Sequence, residues 1–180
     1  MKKVIILMFL LILLIPINVY AEEVSLYKCV DGDTAKFRVD GKIYTYRFLS
    51  IDTPETKHPK KGKEPYGKEA SKYTCNALKN AKIIRVEYDD NATKEDKYER
   101  RLAWVFVDEE LLQQKLVSNG LAKVAYLYGD YKYNDILKGE EKKAMNKEIG
   151  IWSNAKNKVV EEINFDKIWQ YIRKIFKSML

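Results

Sequence analysis

The stretch from Leu26 to Ile51, LYKCVDGDTAKFRVDGKIYTYRFLSI, decides the fold. Three segments in it read as strands: Leu26 to Val30, Ala35 to Val39 and Lys42 to Ile51. They alternate well and are rich in Val, Ile, Tyr and Phe, side chains that suit a pleated, half-buried surface. Asp40-Gly41 is a tight-turn signal between the second and third, because a two-residue hairpin turn needs positive φ at its centre. Asp33 falls in the turn after the first strand, and Asp52 falls at the end of the third.

Further along, Tyr66 to Asn80 has helical spacing, with Ala70, Tyr73, Ala77 and Leu78 on one side. Lys82 to Tyr88 is a fourth strand, with Ile84, Val86 and Tyr88 on one face. Asp89 to Glu99 is a polar loop, and Leu102 to Val107 a fifth strand. Leu111 to Val117 is a short helix ended by Asn119-Gly120, and Asn134 to Lys147 another, stopped by Gly150. Five short strands interleaved with helices predict an α+β domain, a small OB-fold-like β-barrel carrying helices. There is no internal repeat.

The two ends of the chain differ from this middle. Lys2 and Lys3 precede an unbroken apolar run, Val4 to Ile15, and Val19-Tyr20-Ala21 supplies a cleavage site. Residues 1–21 therefore read as a secretory signal cut after Ala21. The alternative is an uncleaved anchor, for which the run is short of the ~20 residues a span needs. Residues 22–154 then form the domain. Beyond them, residues 155–180 carry Phe165, Ile168, Trp169, Ile172, Ile175, Phe176 and Met179 at three- and four-residue steps. That is one apolar helical stripe, with Lys167, Arg173, Lys174 and Lys177 largely off it. Such a helix needs a partner for its stripe. Residues 164–180 either pack on their own domain, self-associate, or lie on an anionic membrane surface.

The chain carries a net charge of +7, which falls to about +5 when Lys2 and Lys3 leave with the leader. A basic exported domain meets polyanions such as nucleic acid, anionic cell wall or lipid headgroups; simple solubility is the plainer reading. Cys29 and Cys75 remain after signal removal, and an oxidising compartment lets them pair; two buried thiols are the alternative. Two cysteines and one histidine, His58, are too few for a structural zinc site. A GxSxG elbow, a P-loop, a dinucleotide fingerprint and an HExxH helix are all missing from the sequence.

Acidic residues are what remain for chemistry. A hard cation such as Ca²⁺ takes oxygen ligands from carboxylates, backbone carbonyls and water. Neighbouring barrel strands bring Asp33 and Asp52 together, the Thr53 carbonyl adds a ligand, and Glu55 beyond Pro54 is placed to hold a water rather than the ion. Each acidic turn taken singly also reads as a solvated cap. Arg47 sits inside the apolar strand segment Tyr46-Arg47-Phe48 and needs a partner there, either a phosphate or a structural carboxylate. Arg100 and Arg101 close the polar loop. Tyr98, Tyr126 and Tyr128 form a base-stacking surface or are half-buried strand residues. His58 lies in a basic loop, so acid–base work falls to a carboxylate, tyrosine, lysine or metal-bound water.

These residues carry a resemblance. Val30-Asp31-Gly32-Asp33-Thr34, Arg47-Phe48-Leu49 and Ile51-Asp52-Thr53-Pro54-Glu55-Thr56-Lys57-His58-Pro59-Lys60-Lys61-Gly62 resemble the staphylococcal (micrococcal) nuclease, or thermonuclease, family. So do Tyr66-Gly67, Glu69-Ala70-Ser71, Asp96-Lys97-Tyr98 with Arg100, and Gly120 to Tyr126. The match runs in order over roughly Val24 to Trp152, which makes it far more specific than any single motif. The resemblance implies a five-stranded OB-fold barrel with three helices, Ca²⁺ dependence, and hydrolysis of DNA and RNA at the P–O5′ bond to leave 3′-phosphate ends. It implies that Asp33 and Asp52 are calcium carboxylates and Thr53 a carbonyl ligand. Glu55 matches the general base or water-orienting group, and Arg47 and Arg100 the phosphate-binding catalytic arginines. Lys97, Tyr98, Tyr126 and Tyr128 match nucleotide-contacting positions, and Lys61 the basic loop.

Two features depart from the family pattern. Its loop arginine is usually flanked by glycines, whereas Glu99 and Arg101 flank Arg100 here, so Arg101 is an alternative catalytic arginine. The loop Asp89 to Glu95 is about one residue longer. The rival classes are a non-catalytic nucleic-acid-binding module of the same fold and a surface-adhesion module using the basic face.

Overall fold

The computed structural model describes residues 21–56, 64–153 and 172–173. Lys61, the expected leader apart from Ala21, and the C-terminal stripe apart from Ile172 lie outside these residues. The strands are β1 Ala21–Asp31, β2 Thr34–Val39, β3 Lys42–Phe48, β4 Ile51–Asp52, β5 Ile84–Glu87, β6 Arg101–Val107, β7 Glu110–Leu111 and β8 Lys123–Val124. The helices are α1 Gly67–Asn80, α2 Leu112–Ser118 and α3 Asn134–Asn146, with a 3₁₀ turn at Gly150–Trp152.

Five of these strands close on themselves. The sheet runs β3-β2-β1-β5-β6, and β3 also pairs in parallel with β6. β1 makes closure possible because it serves two partners. Ser25 to Asp31 pairs with β2, and Ala21 to Val24 pairs with β5. Register shifts at Leu26/Lys28 and Cys29/Asp31 lie within its β2-paired part, and extra residues of this kind bend and twist a strand. The result is the expected OB-fold-like barrel, with three helices among the described residues.

Inward residues fill the barrel. Phe37, Tyr46, Phe48, Ile51, Val86, Trp104 and Val105 are fully buried, as are Leu78 of α1, Leu112 and Leu116 of α2, and Leu137 of α3. A disulfide joins Cys29 of β1 to Cys75 of α1, with Cα atoms 5.5 Å apart. The Thr74 hydroxyl donates to the Gly32 carbonyl at 2.6 Å beside it.

Three strands have a boundary that differs by two or more residues from the sequence reading. β1 begins at Ala21 rather than Leu26, because Ala21 to Val24 finds its ladder on distant Glu87 to Ile84. The third strand ends at Phe48 rather than Ile51. Buried Ser50 takes φ 59°, and its hydroxyl donates to Asn134 Oδ1 at 2.7 Å, so the chain turns and β4 pairs with β8 instead. The fourth strand is Ile84–Glu87. Lys82 and Ile83 give their amide N–H groups to Asp108 Oδ1, both at 2.9 Å, rather than to a strand. No helix among the described residues is long and apolar enough to cross a membrane.

Candidate functional site

The turn between β1 and β2 sets the first carboxylate. Gly32 is needed there because a Cβ would stand 2.7 Å from the Thr53 hydroxyl. That close approach lays Thr53 on the turn. Asp33, 7% exposed, accepts the Thr53 amide N–H at 2.9 Å and the Thr53 hydroxyl at 3.0 Å on Oδ2, and the Thr34 hydroxyl at 3.0 Å on Oδ1. The Ser50 turn and the β4–β8 pairing place the second carboxylate. Asp52 pairs directly with Lys123, whose Nζ lies 3.1 Å from Asp52 Oδ2.

Arg47 joins the two. Its Nη1 lies 3.1 Å from Asp33 Oδ2, and its Nη2 donates to Asp52 Oδ1 at 3.3 Å. The partner expected for an arginine in an apolar strand is thus a carboxylate pair. Tyr126 completes the group: its hydroxyl donates to Asp52 Oδ1 at 3.4 Å, and its ring centroid lies 5.4 Å from the Arg47 guanidinium carbon. Desolvation by burial, with the negative Asp52 beside it, raises the Tyr126 hydroxyl above its ordinary range. The hydrogen bond to Asp52 holds the Lys123 ammonium above its own.

A cleft of about 530 Å³ opens on the other side of Arg47, lined also by Lys97, Tyr98, Arg100, Tyr126 and Tyr128. Arg100 reaches it from the end of the polar loop. Its Nε donates to Asp96 Oδ2 at 2.8 Å, and its amide N–H donates to Asp96 Oδ1 at 3.0 Å. The Tyr98 amide N–H donates to the same Oδ1 at 2.9 Å. Burial would raise the Asp96 carboxyl, but hydrogen bonds from the Arg100 side chain and from two amides outweigh it and hold it below its ordinary range. Arg101 points elsewhere. Its guanidinium carbon stacks 3.3 Å from the Tyr44 ring centroid, and Nη1 donates to the Tyr46 and Tyr88 hydroxyls at 3.1 and 3.3 Å.

Glu55 is exposed, three residues beyond Asp52. Its backbone is fixed by Glu64, whose Oε2 accepts the Glu55 amide N–H at 2.9 Å and whose own amide donates to the Glu55 carbonyl at 3.0 Å. Sequence reasoning quoted Asp96 and Lys123 within the family motifs but gave neither a role in the site, and it did not single out Glu64. Asp96 has a local signal, an aspartate accepting from amides two and four residues on. Lys123 and Glu64 have none, since they meet their partners only through the fold.

The Asp33–Asp52 pair suits a hard cation. The donors are oxygens only, the two carboxylates converge on one positive group, and among the described residues Asp33 Oδ1 accepts only the Thr34 hydroxyl. Among the described residues no cluster of three or more His, Cys, Asp or Glu forms. Carbonyl and water ligands would complete the shell, as Ca²⁺ allows.

Comparison with known proteins agrees with this geometry. The family model described as staphylococcal nuclease homologue matches residues 45–154. SPbeta prophage-derived endonuclease YokF of Bacillus subtilis (strain 168) is 41% identical over 145 residues, covering 80% of this chain and 48% of that protein. Endonuclease YncB of the same organism is 41% identical over 134 residues, covering 74% and 63%. The thermonuclease of Staphylococcus hyicus is 37% identical over 137 residues, covering 76% and 79%. The chain thus spans about half the length of YokF and most of the thermonuclease. A family match over more than half its length, on a barrel that sets two arginines on one cleft beside two carboxylates, shows that the chain belongs to the staphylococcal nuclease family.

Proposed function

We propose that this protein is an exported, Ca²⁺-dependent nuclease that hydrolyses DNA and RNA and leaves 3′-phosphate ends. One observation carries the reading: Arg47 and Arg100 line the same cleft while Asp33 and Asp52 hold Arg47 at its edge. A phosphodiester is protected from water by its own negative charge. Two guanidiniums fixed on one phosphate neutralise that charge and stabilise the extra charge of the five-coordinate transition state. Each is held in place before substrate arrives, Arg47 by the aspartates and Arg100 by Asp96, so little reorganisation remains at the moment of reaction.

Asp33, Asp52 and the Thr53 carbonyl would hold the Ca²⁺, which when bound supplies Lewis acidity toward a phosphoryl oxygen. Glu55 orients the attacking water in line with the leaving O5′. The water oxygen bonds to phosphorus, the P–O5′ bond breaks, and a proton passes to O5′. Tyr126 and Tyr128, ring centroids 6.3 Å apart, and Tyr98 flank the sugar and base. Lys97 and, from the basic loop, Lys61 add positive charge. A purely binding module of this fold would need no such convergence of carboxylates and arginines.

Two features support export. β1 starts at Ala21, so cleavage after that residue leaves the barrel its strand from Glu22 onward. The Cys29–Cys75 bridge belongs to an oxidising compartment.

The test uses the purified secreted protein on plasmid DNA and on RNA, with Ca²⁺, with Mg²⁺ and with chelator. Cleavage appears with Ca²⁺ and is weak with Mg²⁺, which demands a tight octahedron at about 2.0–2.1 Å and gives up water reluctantly. The new 3′ ends release phosphate to a phosphatase. Absence of cleavage in Ca²⁺, or full cleavage in Mg²⁺ with calcium removed, overturns the reading.

A further inference from the structure

We propose that the outer face of β1, β2 and β3 is a second nucleic-acid contact, a basic track that carries a single strand of substrate away from the cleft. It rests on the nuclease reading above. The strand registers lay it out. Across β2 and β3, Thr34 pairs with Arg47, Lys36 with Thr45 and Arg38 with Ile43. Across β1 and β2, Lys28 pairs with Lys36 and Ser25 with Arg38. Directly paired residues share a face. The intervening Ala35, Phe37 and Val39 are buried, so these rows face outward. The row at the cleft is Asp31, Thr34 and Arg47, the next is Lys28, Lys36 and Thr45, and the one after is Ser25, Arg38 and Ile43. Tyr27, 53% exposed at the register shift, has the Arg38 guanidinium carbon 5.7 Å from its ring centroid.

This face costs stability in isolation. Lys28 and Lys36 are like charges directly across a ladder, which is unfavourable. Some surface cations elsewhere have acidic partners, Arg85 with Glu109, Lys115 with Glu110, Lys132 with Glu87 and Lys143 with Glu140, while others such as Lys79, Lys82 and Lys142 stand singly among the described residues; Lys28 and Lys36 differ in facing each other across a ladder. Among the described residues, Lys28, Lys36 and Arg38 have no ion pair with a carboxylate, and no acidic residue stands in either of their two rows. Two lysines facing each other beside Arg38 favour a polyanion as occupant, and the basic rows begin one step along the ladder from the Arg47 row at the cleft, which makes it the substrate itself. The rows are two residues apart, ~6.6–6.8 Å along the strands, which is about two charge repeats of a stacked nucleic-acid strand at ~3.4 Å each. Tyr27 gives an unpaired base a stacking platform, which favours a single strand over a duplex.

The experiment compares wild type, Lys28→Gln/Lys36→Gln/Arg38→Gln, and a control with the same charge loss on exposed sites elsewhere, Lys79→Gln/Lys82→Gln/Lys142→Gln. Each is assayed with Ca²⁺ on a dinucleotide and on single-stranded DNA of about twenty nucleotides, longer than the ~4–16 that one OB fold covers. The expected result is that the ratio of kcat/KM on the long strand to that on the dinucleotide falls about tenfold in the track variant and holds in the control. The slope of log(kcat/KM) against log salt on the long strand shrinks by about 2, since each single-strand phosphate contact contributes ~0.7. If the triple variant does not fold, the single Lys36→Gln variant is read for a slope change of about 0.7. An unchanged ratio and slope overturns the track while leaving the nuclease reading intact. An equal loss in the control assigns the effect to net charge and also overturns it. An unchanged ratio with lost binding to anionic lipid vesicles overturns it in favour of a membrane surface. Wild type that cuts neither substrate sinks the nuclease reading instead.

Discussion

Arg100 and Arg101 are neighbours with opposite surroundings. Arg100 enters the cleft beside Arg47, held by Asp96, whereas Arg101 stacks on Tyr44 and bonds Tyr46 and Tyr88. Arg100→Lys is therefore expected to lower kcat by well over tenfold, because lysine keeps the charge but not the fork that grips both Asp96 and a phosphate. Arg101→Lys is expected to keep kcat and to cost ~1 kcal/mol of stability through the lost stacking. Steady-state kinetics with parallel thermal melts separate them, and a dead Arg101→Lys with an active Arg100→Lys reverses the assignment. The Asp96 grip survives acid: its carboxyl is held below the ordinary range, so the stabilisation is present above that range and is lost only as pH falls through the lowered value. Just before Arg100, Glu99 holds φ 60°, a left-handed conformation that costs a non-glycine residue ~1–2 kcal/mol. Glu99→Gly relieves that strain but adds ~0.5–1 kcal/mol of unfolded-chain entropy. Melts should agree to within ~1 kcal/mol, and KM for nucleic acid should fall as a carboxylate next to Arg100 in the chain is removed. A clear destabilisation would show that the Glu99 side chain contributes contacts that offset its backbone.

The elements are fastened at two points that their own sequences do not dictate. The turn after α2 and the turn after α3 meet at Gly120 and Gly150, with φ 62° and 58°. The Ile151 amide donates to the Gly120 carbonyl at 2.8 Å, and a Cβ on either glycine would overlap the other turn's backbone. Gly150→Ala should cost more than ~2 kcal/mol, a fall in Tm of more than ~4 °C for a chain of this size. A melt within a degree of wild type would mean the two turns separate freely. The Cys29–Cys75 bridge closes 46 residues of sequence between β1 and α1. By the chain-entropy model a loop of that length contributes about 4 kcal/mol. Reduction should lower Tm sharply, while mass spectrometry of native, alkylated protein should find no reactive thiol. Two labelled cysteines would remove the bridge from the native molecule.

At the scale of the molecule, every side chain placed in the site lies before residue 132, and the apolar stripe of residues 164–180 lies after it. Deleting residues 155–180 is thus expected to leave activity per folded molecule near wild type while changing oligomeric state or membrane retention. Sedimentation, vesicle partition and nuclease assays on the truncated protein check this. A monomer that partitions as before yet loses activity would put the tail in the site.

The sequence by itself determined the barrel and the residue types of the site. Alternation with β-branched and aromatic side chains acts within a few residues, and it marked the five barrel strands and the three helices but not the two-residue strands β4, β7 and β8. DGDT and DTPE were legible for the same reason, since turn chemistry is local. Only the tertiary structure decided what depends on distant partners. β1 extends back to Ala21 because Glu87 is there to pair with it. β3 stops at Phe48 because Asn134 holds the Ser50 turn. Lys123 reaches Asp52 through a two-residue ladder that no periodicity announces. The choice between Arg100 and Arg101 turned on which face of a loop–strand junction each side chain leaves from. Local propensity cannot fix that, because a shift of one residue reverses every side chain in a strand.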